Sequence, residues 1–351
     1  MNRLAAIDAA VEAACGFLAE ARSPDFLWRD FRTLAGESCD WVSGFVAFAA
    51  GSAGVLRDAV GAATHALLRR QRGGGGWSYN NERVPSDCDS TAWVLLAIST
   101  TTVWKPSAVL RAIAYVLRHA AGNGFATYSD EDPIDRFIGA EPEQTRGWRT
   151  PHVCVTAVAT QALLMQGVRP DDPRIVRAIA ALCEAQGEDG SWSSYWWRGA
   201  SYASAMALRA LAAGGALTDE IWGRGRVGLL ARQSEDGGFG DDDPGGGPHA
   251  FATAMALTAL LTRPDPACDD AIEAAAAWLL ARQDEEDGHW PSAPILRIPP
   301  PMVSLPLDNG WKEEGFGTGV IVRDQRCIFT TAAALAALAT YRRHIAVSFG
   351  L

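Results

Sequence analysis

Two aspartates two residues apart, Asp87 and Asp89, open an apolar run in which Ser90, Thr91 and Ala92 follow directly. A carboxylic acid competes as a proton donor only while it stays neutral, and burial among apolar walls raises its pKa by disfavouring the anion. A second carboxyl nearby pushes one of the pair up further, so Asp87 could share a proton with Asp89. The ordinary role of Asp87 and Ser90 just before a helix is to cap it by accepting backbone N–H groups. Asp89 stands apart. When six segments are laid over one another by the Ser or Thr that opens each apolar run, Asp89 falls in register with Trp41, Cys154, Tyr202, Phe251 and Phe329. One acid then sits among rings and a thiol. Such a ring can deliver a proton and afterwards shelter a cation, because π faces attract positive charge most strongly where water is excluded. Cys154 is the group that could fix the direction of the proton. Trp192, Trp196 and Trp197 join Trp41, Tyr202, Phe251 and Phe329 as candidate substrate-lining rings, although a buried aromatic is ordinarily core packing.

The elements that would position these groups repeat. A helix ending in Gln runs into a Gly-rich turn closed by an aromatic at Gln71–Trp77, Gln186–Trp192, Gln233–Phe239 and Gln283–Trp290, with weaker copies at His119–Phe125 and Arg22–Trp28. The spacing is about 47 to 50 residues, apart from one stretch of about 67 between His119 and Gln186 that must hold an insertion. Before each turn lies an amphipathic pattern, such as Ile272, Ala275, Ala276, Leu279 and Leu280, and after it a run that is apolar nearly all round, such as Thr253–Leu261. A helix without a polar face is buried. Six buried and six half-buried helices predict an all-α fold, a single (α/α)6 toroid of six helical hairpins spanning residues 1–351. Its turn Gln and aromatic residues would staple neighbouring hairpins, and no strand-rich segment competes. Trp77, Phe239 and Trp290 are assigned to those turns. The stretch Pro291–Leu307 is expected to be an ordered surface loop, or a lid or lipid-facing mouth.

Composition excludes some functions. A net charge of −10 without a basic stripe argues against a nucleic-acid partner. Seven cysteines at irregular spacing, without a leading signal segment, read as reduced buried thiols of a cytoplasmic protein, and no apolar run is long enough to span a bilayer.

The segment SDCDSTAWVLLAI, Ser86 to Ile98, resembles the DxDDTA acid motif of class II terpene cyclases, and the turns resemble the QW repeats of squalene-hopene and oxidosqualene cyclases. Gly190–Leu208 is similar to the GSW-containing segment of their catalytic half. The resemblance covers nearly the whole chain but only one of the two barrels of a squalene cyclase. It implies that Asp89 is the proton donor, with Asp87 matching the first Asp of the motif. Ser90 replaces the last Asp; where hopene cyclases read DVTAH this chain reads CVTAV, so Cys154 replaces an Asp and Val158 the His that polarises the acid. Oxidosqualene cyclases, which protonate an epoxide, carry DCTA and a facing Cys, a pattern closer to Asp89-Ser90-Thr91-Ala92 and Cys154. The resemblance therefore implies acid-initiated cyclisation of an isoprenoid, meroterpenoid or polyene, with initiation at an epoxide favoured.

Metal chemistry is not expected. Protein prenyltransferase β subunits share the toroid and resemble Gly237–Leu260, but their zinc requires an Asp-x-Cys pair, which is absent, and His249 alone is suggestively placed. The cysteine ligands of lanthionine cyclases also lack counterparts. EDPID, Glu131 to Asp135, has the form of a Mg²⁺-diphosphate motif, yet short acidic runs are ordinarily solvated. No cofactor is expected, Mg²⁺ accompanying only a diphosphate substrate. The expected partner is a small hydrophobic substrate, with peripheral membrane contact at the mouth. The other reading is a toroid that has kept its scaffold but binds a lipid or peptide, or a prenyltransferase-like protein. The cavity around Asp89 discriminates: a sealed apolar chamber favours the enzyme, a side-chain-filled one the binding module.

Overall fold

Alanine-rich helices with small residues at their contacts can approach one another closely, and the chain uses them for an inner ring. The computed structural model describes residues 3–81, 83–240, 247–304, 310–313 and 315–348. Along it run α1 (Arg3–Glu20) and α2 (Asp40–Ala53), α3 (Arg57–Arg70) and α4 (Cys88–Ser99), then α5 (Pro106–Arg118), the short α6 (Ile134–Ile138) and α7 (Val153–Met165). There follow α8 (Pro173–Glu184) and α9 (Ser201–Ala213), α10 (Asp219–Leu230) and α11 (Ala250–Leu260), α12 (Asp269–Leu280) and α13 (Ile328–Ser348). Helices α2, α4, α7, α9, α11 and α13 each pack on the next, and α13 returns to α2, so the inner ring closes. The others, α6 apart, stand outside it. The difference in patterning is borne out: α11 buries all but one of its residues, whereas α8 buries only Ile175, Ala178 and Leu182. At Gly44 an added Cβ would lie 3.0 Å from the backbone of Trp93 and Val94, which is why α2 and α4 touch there.

The repeat motif is a set of hydrogen bonds. The Ser or Thr of each inner helix accepts the backbone N–H of its own turn aromatic: Trp28 on Ser43, Trp77 on Thr91, Phe125 on Thr156, Trp192 on Ser204, Phe239 on Thr253 and Trp290 on Thr331. The indoles of Trp28, Trp77, Trp192 and Trp290 donate to the end of their own outer helix. The Gln side chain reaches further. Gln71 donates to Gly75 O and to Ala108 O at the start of the next outer helix, Gln186 to Gly190 O and Ile221 O, Gln233 to Gly237 O and Ala271 O, and Gln283 to Gly288 O and Ala10 O, closing the circle. The aromatic therefore ties its own hairpin together, and only the Gln staples neighbours. Gly75, at φ +96°, lies where a Cβ would sit 2.6 Å from Arg111 O, so glycine is needed for the approach.

The expected insertion is real, and it holds α6 and a 3-10 turn at Pro142–Thr145. Short strands accompany the helices without forming a strand-rich segment. Short antiparallel pairs form between β1 (Asp30–Thr33) and β2 (Gly36–Ser38) and between β3 (Ala120–Ala121) and β4 (Gly124–Phe125). The proline-rich stretch is not a loop throughout: it contributes β5 (Pro294–Ile298), which joins β6 (Lys312–Glu313) and β7 (Val320–Arg323) in a sheet ordered β5-β7-β6. Leu296 opposite Val322 and Ile298 opposite Val320 set the β5–β7 register, and the rest of that stretch, 305–307, lies outside the described residues. All seven cysteines are free, but Cys15, Cys183 and Cys327 are only half-buried. Among the described residues no helix is long and apolar enough to cross a membrane.

Candidate active site

Each of the six overlaid residues is the second residue of its inner helix: Trp41, Asp89, Cys154, Tyr202, Phe251 and Phe329. They consequently meet at one end of the ring. The Trp41 and Phe329 rings are 5.0 Å apart, Phe251 and Phe329 5.8 Å, and Tyr202 and Phe251 6.3 Å. Trp197, from the segment between turn and helix, lies among them, stacked on Tyr202 at 4.1 Å and on Phe251 at 5.1 Å, and 5.4 Å from Phe329.

Among the described residues Asp89 is held by a single partner, the Trp41 indole, whose Nε1–H donates to Oδ2 at 3.0 Å. Burial raises its pKa to about 8, with the Asp87 charge adding to the rise and the indole bond opposing it. The carboxyl is therefore mostly protonated at neutral pH. Asp87 is engaged differently: it accepts Ser90 N–H and Ser90 Oγ–H, each at 2.7 Å, and caps α4. Burial lifts Asp87 to about 6 against those two bonds. Asp87 and Ser90 thus engage each other at the start of α4, and the two aspartates are pushed apart in acidity, Asp89 being the weaker acid. Asp89 faces a cavity of about 90 Å³ walled by Trp41, Tyr79, Thr127, Tyr128, Trp196, Trp197, Leu296 and Ile298. The chamber is apolar and also largely filled by side chains.

Trp196 and Trp197 line this cavity as expected. Trp192 does not: its indole donates to Leu182 O at 2.7 Å inside the fourth turn, so it belongs with Trp77 and Trp290. Burial raises the Cys154 thiol above its ordinary pKa, with the Asp89 charge adding to the rise and the nearby Trp196 and Tyr195 backbone and Ser194 hydroxyl opposing it. The thiol holds the Trp196 segment in place more directly than it steers the acid. Tyr79, Thr127, Tyr128, Leu296 and Ile298 escaped the sequence reading. Thr127 and Tyr128 directly follow the third turn, and an offset from the turn aromatics could have found them; Leu296 and Ile298 carried no such signal. Above the cavity β5 pairs with the Trp196 segment, Arg198 N–H donating to Ile295 O and Arg297 N–H to Trp196 O, each at 2.8 Å.

The acids of EDPID are engaged: Glu131 by Arg118, Asp132 by His119 at 2.7 Å and by Tyr115 and Ser129, and Asp135 by Arg149. His249 caps α11 through Nδ1, and part of the turn before it, 241–246, lies outside the described residues. Among the described residues one group could gather a metal, Asp284, Asp287 and His289, in the sixth turn and apart from the residues that line the Asp89 cavity, and Asp284 already accepts the Glu286 and Asp287 amides.

Comparison with known proteins agrees with this geometry. The profile of the squalene-hopene cyclase C-terminal domain matches residues 53–245. The chain is 29% identical over 237 residues to the squalene–hopene cyclase of Zymomonas mobilis subsp. mobilis, covering 62% of this chain and 36% of that one. It is 28% identical over 252 residues to the drimenyl diphosphate synthase of Streptomyces showdoensis, covering 68% and 42%. The chain thus spans less than half the length of these curated relatives. A variant of the type II terpene cyclase MstE from Scytonema, solved in complex with geranylgeranyl dihydroxybenzoate, superposes with a TM-score of 0.86 at 29% identity, covering 97% of this chain and 98% of that one.

Proposed function

The chain belongs to the squalene-hopene cyclase C-terminal domain family, and from that premise we propose that it is a class II terpene cyclase in which Asp89 protonates an isoprenoid or meroterpenoid to start its cyclisation. The observation that carries this reading is the state of Asp89: a neutral carboxyl with one hydrogen bond, facing an apolar cavity beside stacked rings.

In the first step the Asp89 proton moves to a terminal alkene carbon or an epoxide oxygen, leaving the carboxylate. The Trp41 N–H, already on Oδ2, strengthens its bond as that charge develops. The resulting carbocation is taken up by the next double bond within the same molecule. Trp41, Tyr79, Tyr128, Trp196 and Trp197, which line the cavity, offer it π faces, with Tyr202, Phe251 and Phe329 stacked behind Trp197. Loss of a proton from the last cation ends the sequence, so substrate and cyclic product are isomers. MstE was solved with geranylgeranyl dihydroxybenzoate, and the same class of prenylated aromatic substrate is a natural candidate here. No cofactor is needed, and Mg²⁺ would enter only with a diphosphate substrate.

Ligand pockets commonly measure about 300–1,000 Å³. A cavity of about 90 Å³ therefore admits a prenyl chain only when Trp196, Trp197 and the β5 strap move outward. Exposed Leu34, Met302 and Phe316 are the residues for a peripheral membrane contact by a protein working in the cytoplasm. The filled cavity also favours the second reading, a toroid that binds without turnover. Incubation with linear prenyl alcohols, prenyl diphosphates, terminal epoxides and prenylated hydroxybenzoates, followed by product analysis, decides between them. Cyclic isomers of one member support the cyclase, and saturable binding with recovery of every substrate unchanged supports the binding module.

A further inference from the structure

At the other end of the inner ring the axis is open. The acid end is filled by rings, with Phe45 stacked on Phe329 at 3.7 Å as the floor. Below it several inward positions are small, among them Ala49, Ala212, Ala333 and Ala336, and a cavity of about 350 Å³ remains. That volume is within the range of ligand pockets, which the Asp89 cavity is not.

Arg209 on α9 lines this space without a counter-ion: among the described residues its guanidinium makes no ion pair or hydrogen bond and lies over the Phe48 ring at 5.2 Å. Other enclosed arginines of the chain are paired, Arg70 with Asp40 and Arg149 with Asp135. Burial pulls Arg209 down to about 10, which leaves it charged at neutral pH. At the rim Arg343 is held by Ser52 O and Thr340 Oγ1, and no lining residue is acidic. Gln161 is 6% exposed, and its Oε1 is unpartnered. Arg209 is half-buried, and an anion entering the cavity would find a guanidinium that no carboxylate among the described residues has neutralised.

We propose that this axial cavity is a second ligand site for an amphiphilic anion, its carboxylate or phosphate head on Arg209 and its apolar tail against Phe45, Phe48, Met206 and Met255. The site does not depend on proton chemistry at Asp89. Calorimetric titration of the full chain with decanoate, decyl phosphate, decanol and decyltrimethylammonium tests it. One equivalent of at least one of the two anions should bind saturably, and decyltrimethylammonium should not. If decanoate alone binds, the head is a carboxylate; if decyl phosphate alone, a phosphate monoester; if both, either serves. Arg209→Met, which keeps an unbranched apolar stem and removes the charge, should weaken the anion at least tenfold, about 1.4 kcal/mol, while leaving decanol unchanged. Ala336→Leu, which fills the cavity and keeps the charge, should block the anion independently, with thermal unfolding reporting that each variant is folded. Absence of saturable anion binding, equal binding by wild type and Arg209→Met, or equal binding of the cation would overturn the proposal and leave Arg209 as a solvated residue of an open recess.

Discussion

Asp89→Asn separates the acid from every structural role of the residue, because the amide keeps the shape and can still accept the Trp41 indole. Its consequences run in opposite directions for activity and stability. With a pKa near 8 in the native state and 3.8 ordinarily, Asp89 is about nine-tenths protonated at pH 7, against roughly one molecule in a thousand for an unshifted carboxyl. The variant has no proton to give at this position, and Asp87, which also borders the cavity, is bonded to Ser90 and is the stronger acid, mostly ionised at pH 7. Turnover should fall at least about 10³-fold, within the range of general-acid effects. The stability change follows from linkage. Below pH 3.8 native and unfolded chains both hold the proton; above it the unfolded chain loses it while the native state keeps it to about pH 8, so stability falls as pH rises through that window. The cost at pH 7 is up to about 4 kcal/mol. Asn removes it. Urea unfolding of both proteins at pH 4, 5.5 and 7 should show the variant gaining over wild type as pH rises, in parallel with product assays by gas chromatography. Retention of more than a tenth of the activity would rule out Asp89 as the acid, and a less stable variant at pH 7 would refute the buried neutral carboxyl.

Activity of the wild type should decline as pH rises through about 8, as Asp89 ionises, and a profile flat to pH 10 would point to a different donor. Cys154→Ala should cost less than about tenfold in turnover, because the thiol supports the Trp196 segment and is not the proton source; a loss equal to that of Asp89→Asn would place it in the proton transfer. Gln186→Ala, which removes the hydrogen bonds to Gly190 O and Ile221 O, should lower stability by about 1–3 kcal/mol in urea unfolding. Chelator treatment should leave turnover of an alcohol or epoxide substrate unchanged, and elemental analysis should find no stoichiometric zinc; a metal retained through dialysis and lost in His249→Ala would reverse this.

The periodicity of the chain by itself determined six hairpins, which helices are inner, and which residue of each inner helix faces the common end. These are local matters: the distance from turn aromatic to Ser or Thr is bridged by one hydrogen bond within each hairpin, so the phase of every inner helix is set by its own neighbours in sequence. Asp89 could be found from that phase. Its acidity could not, because the shift comes from the walls that exclude water, and those are brought by segments far away in the chain, including β5. Trp192 and Trp197 look alike in sequence and part in the fold, one held to its own outer helix and the other turned into the ring of rings. The short strands were hidden because two to five residues carry little periodicity: β1–β2 and β3–β4 are tight local pairs, and β5, β6 and β7 meet within the one segment between α12 and α13. The uncompensated Arg209 was hidden because a basic residue on an apolar helix has no visible partner or lack of one until the opposite helices surround it.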